Sequence, residues 1–296
     1  MTEHARAPVR TSVVVPVHDA LRWLPAQLDA LDRQEGAEPF EVVLADNRST
    51  DGLAAAVPSL AAGRAYPLRR VAADERQGVA HARNVGCRAA VGELLLVCDA
   101  DDVVGPRWVA EMQEGLRTAE MVTGTLRSDL LNPPLPRAWR PMYPPGVLPR
   151  KLDFLDYAPG CCVGVRASTF REVGGWDESF VAGGDDVEFA WRVQLAGGRL
   201  DVRPGAEVQY RLRHDLRSTL RQTYAYARSD AQLLAVFRDR GARGTGPRPL
   251  VRELRWLRQN LVGAARRPGD RGLWLRRAAM LAGRVAGSVR HRAWAV

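Results

Sequence analysis

The first hundred residues alternate short apolar runs with stretches of helical period, and no other feature constrains the fold as much. Residues 68–72 suggest one further strand; the apolar runs are Ser12–Val15, closed by Pro16, then Glu41–Ala45 and Leu94–Cys98. They are β-branched or leucine-rich and carry no polar alternation, as expected of strands buried on both faces. Between them, residues 20–34 place Leu21, Leu24, Leu28 and Leu31 three and four apart, the stripe of an amphipathic helix. An alanine-rich helix follows Asp51-Gly52, and residues 79–91 read as another. Strand, helix, strand at this spacing predicts parallel βαβ units in an α/β fold. Ligands in such sheets bind beyond the carboxyl ends of the strands.

Beyond Asp102 the pattern changes. A helix is expected over 106–118 and a strand over Met121–Leu126. Residues 132–149 hold seven prolines, which argues against helix or central strand and for a binding loop or lid. A strand at Cys161–Arg166 and a short helix at Ala167–Val173 come next. A helix over Val187–Ala196 is stopped by Gly197-Gly198. Strands are expected at 199–203 and 206–210, then a helix over Leu216–Arg238 and a linker from Gly241 to Pro249. Two basic helices, 250–266 and 271–292, follow.

Charge divides the chain. The net +9 of its 296 residues is uneven: residues 211–296 carry 20 arginines against 5 acids, and residues 1–210 carry 23 basic against 29 acidic side chains. No apolar run approaches the roughly 20 residues of a membrane span, and Met1–Arg10 has no apolar core for a secretory signal. The four cysteines, Cys87, Cys98, Cys161 and Cys162, lack metal-ligand spacing and read as reduced, buried thiols. A cytoplasmic protein is expected.

Three acidic clusters fall where strands should end or helices begin: Asp46-Asn47-Arg48-Ser49-Thr50-Asp51, Asp99-Ala100-Asp101-Asp102 and Asp185-Asp186-Val187-Glu188. Asp51 and Asp185 also fit plain helix caps. Asp99 and Asp101, two apart in an extended segment, point the same way directly after a buried strand. Carboxylates so close repel unless a cation neutralises them, and Mg²⁺ or Mn²⁺ takes one or two carboxylates together with substrate phosphates.

These blocks, in order, resemble family 2 glycosyltransferases of the GT-A fold. Ser12–His18 is similar to the opening strand motif, and Asp46–Gly52 to the second-strand segment. Gly78–Gly86, with Ala82-Arg83-Asn84, is similar to a helix block, and Cys98–Asp102 to the DxD motif. Gly174–Glu178 and Gly184–Arg192 match the later blocks. The resemblance covers about residues 11–215. It implies a Rossmann-like mixed sheet flanked by helices, with a C-terminal helical extension. It further implies a GT-A domain over 1–240, with a donor half about 11–104 and an acceptor half about 105–240, and an extension over 241–296. The activity implied is metal-dependent, inverting transfer of a sugar from a nucleotide-diphosphate donor to an acceptor hydroxyl. Asp46, Pro16, His18, Asn47, Arg83, Asp99 and Asp102 would contact the nucleotide-sugar. Asp99 and Asp101, with His214 as a third ligand, would hold Mg²⁺ or Mn²⁺. Asp186 would be the general base and Asp185 an acceptor or sugar contact. Asp185 stands where the family usually has Glu, and Asn47-Arg48 where it usually has Asp-Gly.

The acceptor class stays open among a glycan, a lipid-linked sugar and a secondary metabolite. The basic helices, with Trp256, Trp274 and Trp294, fit either a solvated packing pair or peripheral contact with an anionic inner-membrane face; no nucleic-acid motif is present. Two other classes compete. A sugar-nucleotide pyrophosphorylase would need a Gly-rich phosphate loop and catalytic lysines, but Pro16-Val17-His18-Asp19 follows the first strand and Lys151 is the single lysine. A non-catalytic sugar-binding protein on the same scaffold would be expected to lack the DxD or the later Asp pair.

Overall fold

The computed structural model describes residues 10–244 and 246–295. Met1–Val9, most of the stretch read as lacking a signal core, lies outside them. The chain alternates as its sequence predicts: β1 (Thr11–Val17), α1 (Leu24–Asp32), β2 (Phe40–Asp46), α2 (Leu53–Ala61), β3 (Leu68–Ala72), α3 (Val79–Ala89) and β4 (Leu94–Cys98). Then come β5 (Val103–Val104), α4 (Trp108–Leu116), β6 (Met121–Arg127), α5 (Pro134–Trp139), β7 (Cys162–Arg166), α6 (Ala167–Glu172), α7 (Asp185–Leu195) and β8 (Leu200–Gln209). The helices α8 (Leu216–Phe237), α9 (Pro247–Gln259), α10 (Leu261–Arg266) and α11 (Pro268–His291) follow.

One eight-stranded mixed sheet runs in the order β3-β2-β1-β4-β7-β6-β8-β5. The first four strands are parallel, while β7 is antiparallel to both β4 and β6. Alternate residues of the parallel strands feed two cores, because a strand's side chains point to opposite faces in turn. Val13, Val15, Val42, Leu44 and Leu96 pack with Leu24, Leu28, Trp108 and Met112 of α1 and α4. Val14, Val43, Leu95 and Val97 pack on the other face with Cys87, Phe170, Trp176 and Phe189. All four cysteines are free and buried, as expected.

Three local readings are corrected. Strand β1 continues through Pro16 to Val17, because beyond Val14 only β2 pairs with it and the missing proline N–H faces a side with no ladder. The proline-rich segment does contain a helix, α5. Its prolines Pro134 and Pro136 occupy the first turn, where N–H groups have no intrahelical partner anyway. The two strands expected around Pro204-Gly205 are one strand, β8, whose register shifts against β6 between Thr123 and Thr125. Gly124 sits on the Ala206 carbonyl there, with no room for a Cβ.

The C-terminal helices number three, not two. α11 lies along α8, with Gly283 seated on the Tyr224 carbonyl and Gly287 on that of Arg228. Trp256 stacks under Arg277 at 3.9 Å, and Trp274 donates to the Leu257 carbonyl at 2.8 Å, so both knit α9 to α11. Trp294 is exposed. No helix among the described residues is long and apolar enough to cross a membrane.

Candidate active site

The loops at the carboxyl ends of β1, β2 and β4 meet the N-terminus of α7, and the acidic clusters come with them. Asp46 ends β2. Its Oδ1 accepts the Ser49 N–H at 2.9 Å and its Oδ2 accepts Arg70 Nε at 2.7 Å. Burial works against the Asp46 charge, but Ser49 and Arg70 outweigh it and hold the carboxyl below its ordinary value. Arg70 is a partner that the sequence does not flag. Asn47 is buried and tied down: it donates to the Ala73 and Arg76 carbonyls at 2.6 and 2.8 Å and accepts the Gly78 N–H at 2.8 Å. The amide thus clamps the β2–α2 loop to the start of α3. His18 Nδ1 lies 2.8 Å from the Asn47 carbonyl, and Pro16 is buried in the strand before it. Asp51 accepts the Leu21 N–H at 2.7 Å, joining the loops after β1 and β2.

Arg83 is the hub. Its buried guanidinium donates to Asp185 Oδ2 at 2.7 Å and lies 3.2 Å from Asp99 Oδ1. Burial alone would lower its pKa; Asp185 and Asp99 reverse that and raise it, so the cation persists. Gly160 packs flat against this guanidinium, where a Cβ would stand 2.6 Å from Nη1. Asp185 is held up at about 6, chiefly by burial and also by Asp186, against the pull of Arg83.

Asp185 and Asp186 open α7, where the helix dipole favours negative charge. Gly184 caps the helix at φ +87°, a left-handed conformation that glycine adopts without strain. Asp186 Oδ2 accepts the Gly160 N–H at 3.2 Å and its Oδ1 the Val187 N–H at 2.9 Å. The carboxylate is held by two backbone amides and remains partly exposed.

After β4, Asp99 is half-buried and Asp102 fully buried. Asp99, Asp102 and Cys161 bring one oxygen or sulfur each within 4.8 Å of one another. Asp102 Oδ1 accepts the Arg211 N–H at 2.7 Å, while its buried Oδ2 has no partner among the described residues. Burial, then Asp99 and Asp101, pushes the Asp102 carboxyl well above its ordinary value; burial and Asp99 push Asp101 up as well. A carboxylate cluster with an orphaned oxygen fits a hard divalent cation such as Mg²⁺ or Mn²⁺. Cys161 does not suit that ion, since burial and the neighbouring carboxylates keep its thiol protonated. Asp101 turns instead toward Arg213, 3.9 Å away. His214 is exposed and stands apart from the convergent group. Sequence spacing gave no sign of Cys161. Trp176 and Trp191 are core: Trp176 stacks on Phe189 at 4.2 Å, and Trp191 is fully buried.

The comparisons agree with this geometry. The family model described as "Glycosyl transferase family 2" matches residues 12–174, and "Glycosyl transferase family group 2" matches residues 153–286. The chain is 30% identical over 223 residues to a validoxylamine A glucosyltransferase of Streptomyces hygroscopicus subsp. jinggangensis (strain 5008), covering 63% of this chain and 51% of that protein. It is 28% identical over 179 residues to the pre-mycofactocin glycosyltransferase of Mycobacterium tuberculosis (strain ATCC 25618 / H37Rv), covering 56% and 37%. The chain thus spans about half or less of these two relatives. Among solved structures, the mannosyltransferase PcManGT of Pyrobaculum calidifontis, in complex with GDP-Man and Mn²⁺, superposes with a TM-score of 0.62 at 20% identity, covering 96% of this chain and 89% of that one. The fold is of the GT-A type. A chain with these strand-end carboxylates, this sheet and a family match over more than half its length belongs to glycosyl transferase family 2.

Proposed function

We propose that the protein transfers a sugar from a nucleotide-diphosphate donor to an acceptor hydroxyl, with metal dependence and inversion at the anomeric carbon. The observation that carries this reading is the convergence of Asp99 and Asp102, with an orphaned buried oxygen, on the loop that Arg83 ties to Asp185. Asp99, Asp102 and the adjacent Asp101 would hold Mg²⁺ or Mn²⁺. Bound there, the ion supplies Lewis-acid neutralisation of the charge that grows on the leaving diphosphate. Asp46 holds the nucleoside end of the donor. His18 and Pro16 shape the loop beneath it, and Asn47 positions that loop through its three hydrogen bonds. Arg83 keeps Asp185 and Asp99 in register across the cleft. Asp186 takes the proton from the acceptor hydroxyl as that oxygen attacks; its two amide donors aim the carboxylate. Attack from the face opposite the leaving diphosphate inverts the sugar. A positioned base of this kind contributes roughly 10²–10⁴-fold.

The neighbour bound to GDP-Man and Mn²⁺ supports both the donor class and the ion. His214 would join the ligand set only after moving from its exposed position. Residues 241–296 are read as an extension packed on the acceptor half, with α9 offering a basic face to anionic lipid. The test is Asp186→Asn, which keeps the shape and cannot accept a proton. Calorimetry with a nucleoside diphosphate and Mn²⁺ should show binding within about twofold of wild type, while turnover falls by about 10² or more. Near-native turnover in this variant would overturn the assignment of the base.

A further inference from the structure

Most arginines that this protein draws inward are held by carboxylates. Arg64 has Asp29 and Asp32, Arg69 has Glu41, Arg203 has Glu111, and Arg284 has Asp230. Arg140 and Arg276 are two that are not, and unlike Arg166 and Arg211 neither gives its side chain to a backbone carbonyl among the described residues. Both are half-buried, and among the described residues neither has a carboxylate oxygen within 4.0 Å. The nearby acids are already taken: Glu253 pairs with Arg277, and Asp230 with Lys151 and Arg284.

The fold brings the two together across the length of the chain. Trp139, at the end of α5, packs against Gly272 of α11, where no Cβ would fit. Arg140 follows Trp139, and Arg276 lies one helical turn beyond Gly272 on the same face. Arg140 spends one nitrogen on the protein: Nη1 reaches the Tyr210 hydroxyl at 3.3 Å and Gln222 Oε1 at 3.0 Å. Arg276 Nε is buried and without a partner. Burial, then the neighbouring Arg140 cation, pulls Arg276 down to about 10, so both stay charged at neutral pH.

Through its two partners Arg140 adjoins the proposed active site on two sides. Gln222 bonds the Tyr226 hydroxyl at 3.3 Å, and the Tyr226 ring lies against Gly183, which leads into Asp185-Asp186. Tyr210 precedes Arg211, whose N–H is bound by Asp102. Two like charges drawn together without a counter-ion cost stability unless an anion completes them. Guanidinium groups suit planar or tetrahedral oxyanions. We propose that Arg140 and Arg276 form a binding site for an oxyanion, a phosphate or carboxylate group carried by the acceptor, which fixes the acceptor hydroxyl at Asp186. The proposal rests on the reading of the cleft as a glycosyl-transfer site. Its chemistry admits a second source, the donor's own diphosphate, which the test separates.

The test is thermal unfolding of the full chain in low-salt, phosphate-free buffer, with inorganic phosphate as the probe. Arg276→Met should match or exceed the wild-type Tm there, because it relieves the repulsion; a misfolded variant would do the opposite. Added phosphate should raise the wild-type Tm by at least about twice the shift seen in Arg276→Met or Arg140→Gln. The wild-type shift should persist when UDP or GDP with Mn²⁺ saturates the cleft, and the nucleotide's own shift should be equal in all three proteins. A lower Tm for Arg276→Met, or equal phosphate shifts in all three, would overturn the proposal. Loss of the phosphate shift once nucleotide is bound would assign the pair to the donor diphosphate and overturn the acceptor site. If phosphate acts as described but no nucleotide shifts the wild type, the oxyanion site stands and the glycosyl-transfer reading fails instead.

Discussion

Arg83 carries more of the site than any other residue, because it is buried and both groups it holds are carboxylates from separate loops. A buried ion pair gains from its own attraction and loses from desolvation, and the two nearly cancel. At Asp185 the balance is visible: burial raises the carboxyl from 3.8 to about 6 even with the guanidinium 2.7 Å away. The sign of the linkage follows. A carboxyl whose folded pKa is raised binds protons more tightly in the native state, so its contribution to stability is full below the unfolded value and is lost as pH rises through the folded one. The advantage of wild type over Asp185→Asn in urea unfolding should therefore shrink as pH rises from about 4 to about 6, then level off. Asp186 and Asp99 are coupled to Asp185, so the difference reports this carboxylate group as a whole. A gap that widens over that window would mean that Arg83 wins and the carboxyl is ionised throughout.

Elements differ in how well the sequence reveals them, and the reason is range. β4 is read to the residue, because an apolar run with a sharp polar end is a local signal. β5 is two residues long and has no period to read, while the unity of β8 comes from its pairing with β6, some eighty positions away. α5 hides behind prolines that are harmless in a first turn. The site divides the same way. The strand-end acids are legible from spacing, but the Arg83–Asp185 bridge spans 102 positions and the approach of Cys161 to Asp102 depends on β4 pairing with β7. In α9, buried Leu257 faces inward while Val251 and Leu254 sit on the crest at 53% and 50% exposure, flanked by exposed Arg252, Arg255 and Arg258. None of those three arginines has a carboxylate within 4.0 Å among the described residues. Such a face should bind anionic vesicles at about 1 kcal/mol per well-placed arginine and release them as salt shortens the Debye length. Co-sedimentation with anionic and neutral vesicles at two salt concentrations checks this. Absence of binding to anionic vesicles at low salt would leave α9 a solvated face.

Across the whole molecule, charge is sorted as the chemistry requires. The acidic first two thirds supply the carboxylates of the candidate site, and the arginine-rich last third packs α11 along α8. Fold and family membership follow from the sheet and the sequence match together, whereas the proposal of metal dependence and inversion rests on how four aspartates are placed. One measurement reaches all of that at once: proton NMR of the anomeric signal while the enzyme turns over UDP-, GDP- and dTDP-sugars with Mn²⁺. The account predicts that the sugar leaving one of these donors first appears with the opposite anomeric configuration, before mutarotation, and that a chelator stops its release. Release with the donor's configuration kept, or at an unchanged rate in the presence of the chelator, would contradict it.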